Sequence, residues 1–68
     1  MSWTRFQGHT IEVRGVSGRC IVARDRKREK TKEIPAYVQI SVRDRNRASR
    51  TIKFTDEEIS EQEIIIHK

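Results

Sequence analysis

Between residues 36 and 54 the apolar side chains recur at every second position, and no other feature restricts the fold of this chain so tightly. In "AYVQISVR", residues 36–43, Val38, Ile40 and Val42 alternate with Tyr37, Gln39, Ser41 and Arg43. A period of two places the first set on one side of an extended strand and the second set on the other. "RTIKF", residues 50–54, repeats the pattern, with Ile52 and Phe54 set against Thr51 and Lys53. A turn region around Asn46 joins the two runs. Residues 36–54 are therefore expected to form a hairpin with one apolar face and one polar, basic face.

Upstream, "TIEVRGVSG", residues 10–18, alternates through Ile11, Glu12, Val13 and Arg14 before meeting Gly15 and Gly18, a strand followed by a turn. "RCIVA", residues 19–23, is a continuous apolar run between turn signals, the pattern of a strand buried on both faces. "RDRKREKTKE", residues 24–33, contains no apolar side chain. Having nothing to bury, it is expected as a mobile, solvated basic loop, or as an arm that orders on binding. Pro35 then marks the start of the next strand, where its missing N–H is tolerated.

The last residues support two readings. Thr55 as N-cap, Glu58 three residues on, and Phe54 with Ile59 at staple spacing signal the start of a helix. Yet "EIIIHK" holds three adjacent β-branched residues that a continuing helix would scatter around its circumference. One helical turn at 55–60 followed by a strand at 62–67 gives an all-β fold, a small five-stranded meander or barrel with that turn before its last strand. In strand count and turn placement this resembles the small barrels of the Src-homology-three, Sm and Tudor kind. The alternative is a three-stranded antiparallel sheet packed on a C-terminal helix. That arrangement resembles the DNA-binding domain of plant ethylene-response factors and the arm-binding domain of tyrosine integrases, which lay a sheet face in the major groove. Neither resemblance assigns a role to an individual residue.

Sixty-eight residues are expected to make a single small domain spanning 1–68. A chain of this size buries only about 60% of the surface its unfolded form exposes, so a disulfide, a metal or a partner would add useful stability. Cys20 is the one cysteine, which excludes an internal disulfide and fits a reducing compartment, cytoplasmic or, in a nucleated host, nuclear. No apolar run reaches the roughly 18 residues of a membrane span.

An enzyme is not expected. His9 and His67 lie near opposite ends of the chain and Cys20 sits in an apolar run, so no nucleophile has a base beside it in sequence. The carboxylates cluster in the tail, where starting a helix is the simpler use. No cofactor or metal is implied: neither CxxC nor HxxxH spacing occurs, and "GVSG" lacks the lysine and hydroxyl of a phosphate-binding loop.

What remains is charge. Residues 1–54 hold 14 basic and 5 acidic side chains, whereas residues 55–68 hold Lys68 against Asp56, Glu57, Glu58, Glu61 and Glu63. Ten of the 15 basic residues are arginine, whose planar fork suits phosphates and carboxylates. The polar side of strand 36–43 and its partner strand would present Tyr37, Gln39, Arg43, Arg45 and Lys53, with Arg47 placed by the turn and Arg50 near the hairpin tip, parts from which nucleic-acid-binding sheets are made. Arg24, Arg26 and Arg28 of the basic loop would lie at the other end of strand 36–43, roughly 26 Å away, as sequence-independent phosphate contacts. The expected partner is nucleic acid, DNA or RNA. The competing expectation is a protein–protein interaction module or inhibitor, or self-association through a terminal isoleucine strand and a dipolar surface.

Overall fold

A computed structural model describes residues 2–46 and 48–67. Among the described residues seven strands occur in the order β1 (Thr10–Val13), β2 (Val16–Arg24), β3 (Lys27–Glu29), β4 (Lys32–Ile34), β5 (Tyr37–Arg43), β6 (Ser49–Thr55) and β7 (Ile65–His67), with short 3-10 helices at Trp3–Phe6 and Glu61–Glu63. Five strands form one antiparallel sheet in the order β6-β5-β2-β1-β7, and β3 with β4 form a separate two-stranded ribbon. The small β fold expected from the alternating pattern is present. The alternative with a C-terminal helix is overturned, because β-branched Ile65 and Ile66 pair as a strand against Glu12 and Ile11.

First and last strands meet, as curling of the sheet requires, through Thr10–His67, Ile11–Ile66 and Glu12–Ile65. Closure is not found: among the described residues no ladder joins β6 to β7, which remain the two edges. Residues 56–64, which connect them, form turns instead. Ile59 N–H donates to the Thr55 carbonyl at 3.1 Å, and the Thr55 hydroxyl donates to Glu58 Oε1 at 3.1 Å, so the expected single turn is there. A second cap follows, in which the Ser60 N–H donates to Glu63 Oε2 at 2.7 Å and opens the Glu61–Glu63 helix. The last strand consequently starts at Ile65, later than residue 62.

The core consists of Trp3, Phe6, Ile11, Val13, Cys20, Ala23, Ala36, Val38, Ile40, Ile59 and Ile64, with Val16, Val42, Phe54 and Ile66 packed around it. Trp3 and Phe6 meet edge to face, with centroids 6.1 Å apart, and belong to this core. Ile59 and Ile64 bring the tail onto the same core, one on either side of the second capped turn.

Three local expectations change. The turn after β1 is Arg14–Gly15 alone, with φ of 49° and 80° between the paired Val13 and Val16, a type I′ loop that matches the twist of its strands. Gly18 lies inside β2, opposite Ile11. A Cβ there would stand 2.7 Å from Ile40 Cγ2 and closer still to the Ser41 carbonyl oxygen, so glycine serves close strand approach and not a turn. Residues 19–23 are not buried on both faces: Cys20 and Ala23 point into the core, whereas Ile21 is 44% exposed. The cause is a bulge between Cys20 and Val22, where one extra residue opposes the Gln39–Ile40 step of β5. Residues 24–33, expected as a loop, enter the β3–β4 ribbon through Arg28–Glu33 and Glu29–Lys32, exposed throughout as a segment without apolar side chains must be.

Gly18→Ala is expected to destabilise the fold by about 1–3 kcal/mol, because a β5 backbone carbonyl has to move. In a domain of this size that lowers Tm by roughly 4–8 °C per kcal/mol, readable by thermal melting. An unchanged Tm would refute the close approach.

Candidate nucleic-acid interface

Strand alternation on β5 builds one outward face, and antiparallel pairing extends it sideways. Tyr37 stands between Arg24 of β2 and Thr55 of β6, Gln39 between Val22 and Lys53, and Ser41 between Arg19 and Thr51, while Arg43 faces Ser49. Directly opposed side chains in such pairs share a face with Cβ atoms about 5 Å apart. Lys53 also reaches diagonally, placing Nζ 4.4 Å from the centroid of the Tyr37 ring. That cation–π contact is worth about 0.5–1 kcal/mol at an exposed site and keeps the lysine over the aromatic. Beside Gln39 the bulge adds exposed Ile21, so the face is basic but not wholly polar.

The expected site residues divide by location. Tyr37, Gln39, Arg43, Lys53 and Arg24 come together on this face. Arg45 is exposed in the turn beyond Arg43, and Arg28 is exposed on the β3–β4 ribbon at the other end of β5. Arg47 lies outside the described residues. Arg50 pairs with Val42, and so occupies the opposite side of the sheet from Tyr37. Arg26 is engaged elsewhere: its Nε and Nη2 donate to Asp56 Oδ2 and Oδ1 at 3.1 and 3.0 Å, and its Nη1 lies 3.2 Å from Glu33. Arg19 is a further member that sequence reasoning misses; its place follows once β2 is known to pair antiparallel with β5, which puts it opposite Ser41.

The ion pairs sort the basic residues into two groups. Arg5 binds Glu61 at 2.7 Å, Arg14 binds Glu63 at 3.1 Å, and Arg26 binds Asp56 and Glu33. Arg14 additionally donates from Nη2 to the Glu58 carbonyl at 2.8 Å. Three arginines thus hold the acidic tail against the rest of the chain. The cations of the β5–β6 face and the ribbon, among them Arg19, Arg28, Arg43 and Lys53, form no ion pair with a described carboxylate. Arg24 is held by polar contacts without charge neutralisation, donating from Nη1 to Gln7 Oε1 at 2.8 Å.

Other chemistry is thinly represented. Cys20 is buried, donates to the Val22 carbonyl at 3.3 Å, and burial pushes its thiol up from the ordinary range, away from a reactive thiolate. Among the described residues no three histidine, cysteine or acidic side chains converge as metal ligands. No helix among them is long and apolar enough to cross a membrane. Comparison of the chain with protein-family models, with curated proteins and with solved structures finds no match. The class defined by these observations is a small antiparallel β protein with a basic sheet face.

Glu63 supplies a pH test of the tail anchor. The Ser60 N–H and then the Arg14 guanidinium hold its carboxyl below the ordinary 4.5. The folded chain therefore keeps it ionised at lower pH than the unfolded chain does. The resulting stabilisation is complete above the ordinary value and disappears as pH falls through the lowered one. Glu63→Gln is expected to lower Tm near neutral pH and to flatten the decline of Tm below about pH 4.5, seen in melts across the acid range. A decline as steep as that of the parent chain would mean that Glu63 does not couple to folding.

Proposed function

We infer that this protein is a non-enzymatic nucleic-acid-binding domain, using the Tyr37–Lys53 sheet face and the cations at both ends of β5 to contact phosphates and bases. The observation that carries the reading is the sorting of its arginines. Those in ion pairs fasten the acidic tail, and the described arginines without carboxylate partners lie on one sheet face, on the ribbon and in the turn beyond Arg43, with Arg50 alone on the other side of the sheet. A folded chain that needed arginine only for solubility would have no reason to keep its acids off one face. β5 is seven residues long and spans about 20 Å, so Arg28 and Arg45 bracket the face at a distance several phosphates long. Longest dimension and widths of 42, 23 and 19 Å give the protein the elongated form that a polymer track suits. The same reading takes the sheet as a small, incompletely closed barrel, supported by the β1–β7 pairing and by Ile59 and Ile64 joining the core.

Replacing Arg28, Arg43 and Lys53 together by glutamine is expected to weaken binding to all sequences alike. It should also lower the salt slope of log affinity by about 0.7–0.9 for each phosphate that the variant no longer neutralises. Arg26→Gln is expected to behave differently, reducing Tm while leaving the salt slope near that of the parent chain. Fluorescence anisotropy with labelled single- and double-stranded oligonucleotides at two salt concentrations, beside thermal melts, reads both. Equal effects of the two variants on the salt slope would contradict the sorting.

One observation favours a second reading, a protein-interaction module. Ile65 is 52% exposed on edge strand β7, where a partner strand could add. If so, sedimentation will show a concentration-dependent dimer that Ile65→Lys abolishes. A strict monomer dismisses this reading for self-association.

A further inference from the structure

The five-stranded sheet and the β3–β4 ribbon share two chain segments, and their ladders do not run on into one another. The last pair of the β2–β5 ladder is Arg24–Tyr37, and the first pair of the ribbon is Lys27–Ile34. Between them Asp25 and Arg26 on one strand, and Pro35 and Ala36 on the other, are drawn off to different partners. The Asp25 carboxylate accepts from the Trp3 N–H and, at 3.2 Å, from the Ser2 hydroxyl. Arg26 is clamped on Asp56, whose Oδ2 also accepts the Ala36 N–H at 3.2 Å. Pro35 has no N–H to pair. The break opens a cleft of about 230 Å³ walled by Arg24, Asp25, Lys27, Ile34 and Tyr37.

We propose that this cleft binds one unpaired base of a single-stranded nucleic acid, an inference that rests on the nucleic-acid reading above and names the form of the ligand. Its walls combine an aromatic ring, an aliphatic side chain and two cations, the combination by which proteins hold an extruded base and its phosphate. Lys53 rests on the Tyr37 ring and is not a wall of the cleft, so it adds positive charge beside the aromatic. Asp25 repels phosphate but accepts from the amino group of a base. The carboxylate thus favours a base inside the cleft and leaves the phosphate to Arg24 and Lys27. The volume falls below the roughly 300 Å³ at which pockets begin to hold drug-sized ligands, which suits a single planar ring. A larger hollow at the ribbon tip, lined by Glu29, Lys30, Thr31 and Lys32, has no aromatic residue on which a base could stack. A stacked duplex keeps its bases inside the helix and would contact only the surrounding cations.

The test compares labelled single-stranded and duplex DNA of one sequence against the full chain and two variants. Tyr37→Leu is expected to lower single-strand affinity about 5- to 150-fold, the loss of one stacked base, and duplex affinity less than about twofold. Tyr37→Phe, which keeps the ring, is expected to stay within about twofold of the parent for both. Nuclear magnetic resonance titration of the parent chain with a short single strand is expected to shift the backbone amides of Arg24, Lys27, Ile34 and Tyr37, a readout independent of variant folding. Equal losses for single strand and duplex, or no shifts at those amides on binding, would overturn the cleft while leaving the basic-face reading in place. Absence of binding to either form at low salt would overturn both.

Discussion

The acidic tail can lie along a strongly basic chain because three arginines hold it at three points. Arg26 grips Asp56 with two donors, Arg14 joins Glu63 to the β1–β2 turn, and Arg5 meets Glu61 from the N-terminal 3-10 helix. Exposed pairs of this kind each stabilise only weakly. Their positional effect is larger than their energy suggests, since they set where Ile59 and Ile64 enter the core and where β7 begins. Without that placement β1 would lack its outer partner, and the N-terminal half of the sheet would end in a four-residue edge.

The same contacts decide which surface keeps its positive charge. Each carboxylate drawn to Arg5, Arg14 or Arg26 is one that cannot neutralise β5 or β6. The dipole apparent in the linear sequence, acidic at one end and basic elsewhere, is therefore largely folded back on itself. What remains outside is the sheet face around Tyr37 and the ribbon, where like charges repel one another.

Legibility followed the side chains. The 36–54 hairpin could be read because Val38, Ile40, Ile52 and Phe54 each leave a mark at period two, and the Thr55 turn because Thr-x-x-Glu reports its own capping geometry. Ser60 and Glu63 repeat that spacing, so the second turn was also within reach of the sequence. Backbone-only features were not. Glycine reads as a turn wherever it falls, yet Gly18 answers to the β5 carbonyl of Ser41, a neighbour distant in sequence. The β3–β4 ribbon is held by peptide groups that carry no residue signature, and the bulge at Ile21 leaves only an apolar residue too many. Arg26 looked equivalent to Arg24 and Arg28 because nothing local distinguishes a guanidinium whose carboxylate lies 30 positions away. The site was therefore visible as a composition and a face, but not as a division of labour among its arginines.

The unpaired margin of β6 carries one further consequence. A seven-residue edge strand offers peptide donors and acceptors to any extended chain, including another copy of itself, and Arg50 and Lys53 are the charges along it that hold copies apart. Those repulsions belong to the same positive field a polyanion would neutralise. Colloidal stability and the proposed binding thus draw on one set of charges. When a negatively charged polymer matches the protein charge for charge, the protection of that edge is weakest and the mixture is most prone to coacervate or precipitate; an excess of either component restores a net charge and disperses it.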